Sequence, residues 1–121
     1  MRHSASRYIV LLAILSGFAV LAPGFASADE PVQLILKDHR FAPADISVPA
    51  NERFRIEITN QDATPAEFES GDLRAEKIVV PGSKITVMAG PLKPGAYTFV
   101  DDYHSDTAKG TVTATQRQAT E

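Results

Sequence analysis

Cysteine is absent from all 121 residues, so no disulfide braces the fold and no thiolate is available as ligand, nucleophile or redox group. Small exported domains often depend on disulfides; here core packing must suffice, with a bound metal as the other available brace. A basic excess is missing too: 12 Lys and Arg stand against 15 Asp and Glu. Arg2 and Arg7 both lie in the opening segment, so the chain beyond it is more acidic still. That balance argues against nucleic acid and anionic lipid surfaces as partners. No window keeps a helical period, and there is no internal repeat or low-complexity tract.

The opening segment has an order of its own. Arg2 and Arg7 precede an apolar run from Tyr8 to Ala22, followed by Pro23-Gly24 and then Ala26-Ser27-Ala28 ahead of Asp29-Glu30. Charged, apolar and small-residue regions in that sequence read as a secretory signal peptide over residues 1–28, cleaved before Asp29. The run is shorter than the ~20 residues a spanning helix needs, and no later segment is apolar enough to cross a bilayer. The expectation is a periplasmic protein with no membrane insertion after cleavage. Its 93 remaining residues suffice for one domain, residues 29–115, with a flexible polar tail over 116–121.

Within that domain the dominant signal is alternation. Phe54, Ile56 and Ile58 interleave with Arg53, Arg55, Glu57 and Thr59, the pattern of a strand with one buried face. Similar runs occur at 32–37, 46–48, 78–80, 85–89, 97–100 and 110–115, separated by turn signals at Pro49-Ala50-Asn51, Pro81-Gly82-Ser83 and Pro91 to Gly95. About seven short strands so spaced predict an all-β fold, an antiparallel Greek-key sandwich or barrel. The polar, acidic stretch from Ala63 to Ala75 reads as a loop with at most one helical turn.

Candidate ligands gather in three places: Asp38-His39, Glu67-Phe68-Glu69, and Asp101 to Asp106. Strand parity puts Tyr97, Phe99 and Asp101 on one face, which aims Asp101 at the end of the core. A carboxylate there needs a cation, a metal or several donors; a salt bridge to Arg40 or Lys109 would serve as well as a metal. If Phe68 points inward, Glu67 and Glu69 face the other way, into solvent or toward a shared site. Taken together, the clusters point to an oxygen-rich metal site with one or two imidazoles. The ligand candidates are His104, Asp101, Glu67, Glu69 and His39, with Glu76, Asp102, Asp106 and Met88 behind them.

The frame Phe41-x-Pro43-x-x-Ile46-x-Val48-Pro49-Ala50, Ile58-x-Asn60-x-Asp62, Pro94-Gly95-x-Tyr97-x-Phe99 and His104 before Lys109-Gly110-Thr111-Val112 resembles the cupredoxin-like domains. Matched to that family's copper ligands, Ala66 stands at the first histidine position, Asp101 at the cysteine and Ala108 at the methionine. Only His104 keeps its type. The resemblance therefore implies a fold without blue-copper electron transfer. Pro65 to Ser70, Glu76-Lys77 before Pro81-Gly82, and Asp101 to His104 look like the periplasmic cupredoxin-like component of bacterial ferrous-iron uptake systems that work with an oxidase-dependent iron permease.

That resemblance implies a copper or iron ion as cofactor, a ferroxidase-like activity, and the membrane permease with its other periplasmic iron-uptake components as partners. Hard carboxylates favour Fe(III) over Fe(II), which makes bound ferrous iron easier to oxidise. Copper would compete, because Cu(II) binds such donor sets more tightly than Fe(II). Two alternatives stay open: a metal carrier with no redox role, and a metal-free β-sandwich adaptor docking to a membrane complex.

Overall fold

The computed structural model describes residues 30–117; the signal-peptide reading of residues 1–28 and the last four residues of the tail lie outside them. Among the described residues nine strands form: β1 (Val32–Lys37), β2 (Arg40–Ala42), β3 (Asp45–Pro49), β4 (Phe54–Asn60), β5 (Ala66–Ser70), β6 (Ala75–Val79), β7 (Lys84–Ala89), β8 (Gly95–Asp101) and β9 (Lys109–Thr115). One 3-10 turn, Asp102–His104, follows β8. Among the described residues no helix is long and apolar enough to cross a membrane.

The strands make two facing sheets, ordered β2-β1-β4-β7 and β3-β9-β8-β5-β6, the all-β sandwich that the alternation predicts. Two pairings are parallel, β1 with β4 and β3 with β9, so the sheets are mixed. The reason lies at Pro43-Ala44, where the chain switches sheets. β2 and β3 form one broken path running back from the end of β1, and β4 then starts again from the same end as β1.

β4 shows how sequence becomes layer: Phe54, Ile56, Ile58 and Asn60 are buried while the residues between them are half-exposed. Phe41, Phe68 and Phe99 close the core near one end, with ring centroids 5.1 to 6.3 Å apart in geometries favourable to aromatic pairs. Gly110 is pressed against this group; a Cβ there would collide with the Phe99 ring and the Ala44 carbonyl oxygen. On the open side of the sandwich, Lys77 of β6 donates from Nζ to the Thr86 carbonyl of β7 at 3.2 Å.

The pairing is thus not antiparallel throughout as expected, and a second expectation fails as well. The stretch from Ala63 to Ala75 is not a loop but supplies β5 and the start of β6. In β5, Ala66, Phe68 and Ser70 are buried and Glu67 and Glu69 half-exposed. Glutamate is depleted in strands and two of the three inward residues are small, so the alternation carries little apolar contrast in the sequence.

Candidate metal centre

The turns at Pro49 to Asn51 and Pro91 to Gly95 meet at one end of the sandwich, where Asn51 N donates to the Leu92 carbonyl. The ligand candidates converge at the other end. β1 and β2 are joined there by Asp38-His39, both residues in the left-handed region at φ 52° and 56°, as a two-residue hairpin turn of the I′ kind requires. Neither is glycine, so the conformation needs external support. Asp62 supplies it: its Oδ1 accepts the Asp38 N–H at 2.6 Å and its Oδ2 the His39 N–H at 3.0 Å. Asp62 is held in turn by its own N–H on Asn60 Oδ1. The buried Asn60 amide donates to the carbonyls of Thr64 and Val79.

Asp101 ends β8 and is fully buried. Parity aims it at the end of the core as expected, but neither Arg40 nor Lys109 reaches it. Its Oδ1 accepts the N–H groups of Glu67 at 2.9 Å and Tyr103 at 3.1 Å, the second capping the 3-10 turn. Its Oδ2 lies 3.2 Å from Nδ1 of His104. A carboxylate so placed accepts, so Nδ1 of His104 carries the proton. Asp101 is thus the acceptor that three donors share and the group that orients His104, rather than an open ligand. The His104 ring stacks on His39, centroids 3.6 Å apart and 16° from parallel. Nδ1 of His39 in turn lies 3.5 Å from Asp62 Oδ2.

The glutamates occupy a different face. Phe68 does point inward, so Glu67 and Glu69 project outward from β5. Their carboxylates join Asp102 in a group whose ligand oxygens all lie within 4.8 Å of one another. Glu76 stands directly opposite Glu69 across the β5–β6 ladder, where like charges destabilise. Burial is the largest influence pushing the Glu67 carboxyl above the ordinary glutamate range; Glu76 and Asp102 add to it and a hydrogen bond with Tyr103 opposes it. For Glu69 the cause is Asp102 first, which shares a hydrogen bond with it and repels its charge. The Tyr103 phenol is pushed up by burial and by Glu67.

The single mixed site expected from sequence therefore divides into a carboxylate cluster of Glu67, Glu69 and Asp102, bordered by Glu76 and Tyr103, and a pair of imidazoles from His39 and His104. Asp101 bridges the two. The oxygen cluster suits a hard cation. Asp106 is exposed in the turn after residue 104 and joins neither group; Met88 is exposed on β7, toward the opposite end of the other sheet. Asp62 was not among the candidates, although the Asn60-x-Asp62 spacing is one at which a side chain can bond the backbone two residues on.

This geometry is that of a two-sheet Greek-key domain with its polar side chains gathered at one end of the core. The cupredoxin-like domain family matches residues 9–114, and the chain belongs to it. An uncharacterized protein of Rickettsia prowazekii (strain Madrid E) is 47% identical over 79 residues, 65% of this chain and 63% of the relative; the chain thus spans less than two thirds of that relative's length. Among solved structures, the purple cupredoxin of Nitrosopumilus maritimus aligns at TM-score 0.55 with 17% identity, over 69% of this chain and 99% of its own. Dithionite-reduced auracyanin of Roseiflexus castenholzii aligns at 0.57 with 15% identity, over 74% and 99%. The Cu(I) form of an amicyanin mutant aligns at 0.58 with 15% identity, over 74% and 86%. At these identities the structural likeness speaks for the fold.

Proposed function

We propose that this protein is a periplasmic cupredoxin-like component of ferrous-iron uptake, binding iron at the Glu67, Glu69 and Asp102 cluster and assisting its oxidation ahead of a membrane iron permease. The observation that carries this reading is the meeting of three carboxylates within 4.8 Å on a sheet face where Glu76 adds a fourth acid. Iron is the substrate. The carboxylates offer it hard oxygen donors, and because such donors bind the ferric product more strongly, they lower the reduction potential of the bound iron and make it easier to oxidise. Copper-type electron transfer through a thiolate is not available to a chain without cysteine. The signal-peptide pattern in the sequence supports the periplasmic placement.

The test is anaerobic titration of the protein with Fe(II), followed by admission of oxygen as electron acceptor while ferrous iron is monitored. Faster loss of Fe(II) than in buffer, abolished in Glu67→Gln and Asp102→Asn, supports the reading. Tight binding with no acceleration would make the protein a carrier instead, and no binding would remove the iron role altogether.

A further inference from the structure

The alternation that buries one face of β1, β2, β4 and β7 turns a second set of side chains outward, and their charge differs from the rest of the molecule. These four strands carry four cations, Lys37, Arg40, Arg55 and Lys84, against a single acid, Glu57, in a chain whose acids outnumber its bases. Strand parity puts all five on the outer face. Register then orders them. Beside the Asp38-His39 turn, Lys37 stands directly opposite Arg40 on the β1–β2 ladder. In the next row Ile35 lies between Ala42 and Thr59, and Thr59 is opposite Lys84. The outer face of the other sheet is of the opposite sign, with Glu67, Glu69 and Glu76 side by side.

Like charges opposite one another across an antiparallel pair destabilise it. Among the described residues neither Lys37 nor Arg40 has an ion pair or a side-chain hydrogen bond that relieves this. The one acid on the face is already taken, since Lys84 Nζ lies 3.0 Å from Glu57 Oε1. The fold therefore keeps an uncompensated positive pair at its surface. Ile35, 39% exposed, adds apolar area in the adjoining row. Apolar surface bordered by charged and polar groups is the anatomy of a protein interface, where arginine is enriched.

We propose that the outer face of the β2-β1-β4-β7 sheet docks an acidic protein partner, which sets carboxylates against Lys37, Arg40 and Lys84 and an apolar side chain against Ile35. Charge complementarity decides the occupant. Carboxylates placed over Lys37 and Arg40 turn their mutual repulsion into two attractive contacts, and a guanidinium such as that of Arg40 takes a carboxylate by two parallel hydrogen bonds. An anionic bilayer is a poorer match, because an extended negative surface also repels the acid excess of the rest of the chain. A protein can carry its acids in one patch and meet the basic face alone. With acids on the opposite outer face, the molecule's own field turns the basic side toward such a partner before contact. The surface does not depend on the iron reading, since none of its residues belongs to the Glu67, Glu69 and Asp102 group.

The experiment is titration of the isotope-labelled full chain with a synthetic peptide of alternating glutamate and leucine, followed by amide chemical shifts at low salt. The expected shifts are confined to β1, β2, β4 and β7 and fade as salt approaches about 0.15 M, where charges are screened beyond about 8 Å. Lys37→Glu with Arg40→Glu should weaken binding by about tenfold or more, and Glu57→Gln should tighten it by removing the only acid on the face. Lys93→Glu, in the turn at the far end of the sandwich, should leave the affinity unchanged. The same spectra show that each variant is folded. Shifts spread equally over Lys93 and Lys109 would overturn the proposal, as would unchanged affinity in the Lys37→Glu, Arg40→Glu variant. So would binding to phosphatidylglycerol vesicles with none to the peptide, or self-association of the chain through this face. Ferrous iron is titrated separately, so failure of the carboxylate cluster leaves the peptide shifts untouched.

Discussion

Asp101 and His104 are joined through Oδ2 and Nδ1 at 3.2 Å, while the other oxygen of the same carboxylate holds the backbones of Glu67 and Tyr103. One buried side chain thus fixes the position of both clusters.

Removing it should cost stability before it costs metal. Asp101→Ala leaves the Glu67 and Tyr103 N–H groups without their acceptor, at about 1–3 kcal/mol for each group that stays buried. Asp101→Asn keeps one acceptor oxygen and should lose only about 1 kcal/mol. Denaturant unfolding of the metal-free protein measures both. Equal stability of Asp101→Ala and the parent would mean that these hydrogen bonds do not hold in solution.

The acid cluster makes a pH prediction whose sign is set by the raised Glu67 and Glu69 carboxyls. The folded state binds their protons more tightly than the unfolded state, so stability falls as pH rises from the ordinary glutamate value through the raised folded values. Above that window the repulsion is fully present. Glu69→Gln should therefore raise the melting temperature of the metal-free protein at neutral pH and lose that advantage in acid. A melting temperature lowered by Glu69→Gln at neutral pH would contradict it.

A cation should reverse the same repulsion. At a free concentration one hundred times Kd, a bound ion adds about 2.7 kcal/mol to unfolding stability. Differential scanning calorimetry with Fe(II) under anaerobic conditions should show that gain in the parent, and little of it in Glu67→Gln with Asp102→Asn. A gain that survives both substitutions would place the ion elsewhere.

Gly110→Ala tests the packing beneath the site. The added methyl meets the Phe99 ring and the Ala44 carbonyl oxygen, one of which cannot yield without moving backbone; overpacking of this kind costs about 1–3 kcal/mol. Thermal unfolding should report the loss, and an unchanged midpoint would show that the β8–β9 ladder adjusts freely.

The sandwich, its turn positions and the inward aim of Asp101 were legible because they rest on period-two alternation and on proline and glycine punctuation, both local signals. β5 was not, since a strand with two outward glutamates resembles a solvated loop. The division of the ligand set was also hidden. Glu67 and Asp101 are 34 positions apart, and only their hydrogen bond shows that the backbone of one, not its carboxylate, meets the other. Asp62 escaped notice because its work is done on the backbone of a hairpin more than 20 residues away.

The contact from Lys77 to the Thr86 carbonyl bears on how these molecules behave in a crowd. β6 and β7 each end a sheet, and an end strand with open carbonyls is a template for a neighbouring chain. An ammonium group occupies one of those carbonyls, and any strand approaching β7 there would have to displace a charge. This side of the sandwich is guarded against sheet-to-sheet growth, so Lys77→Ala should leave the monomer folded yet quicken its assembly into ordered aggregates.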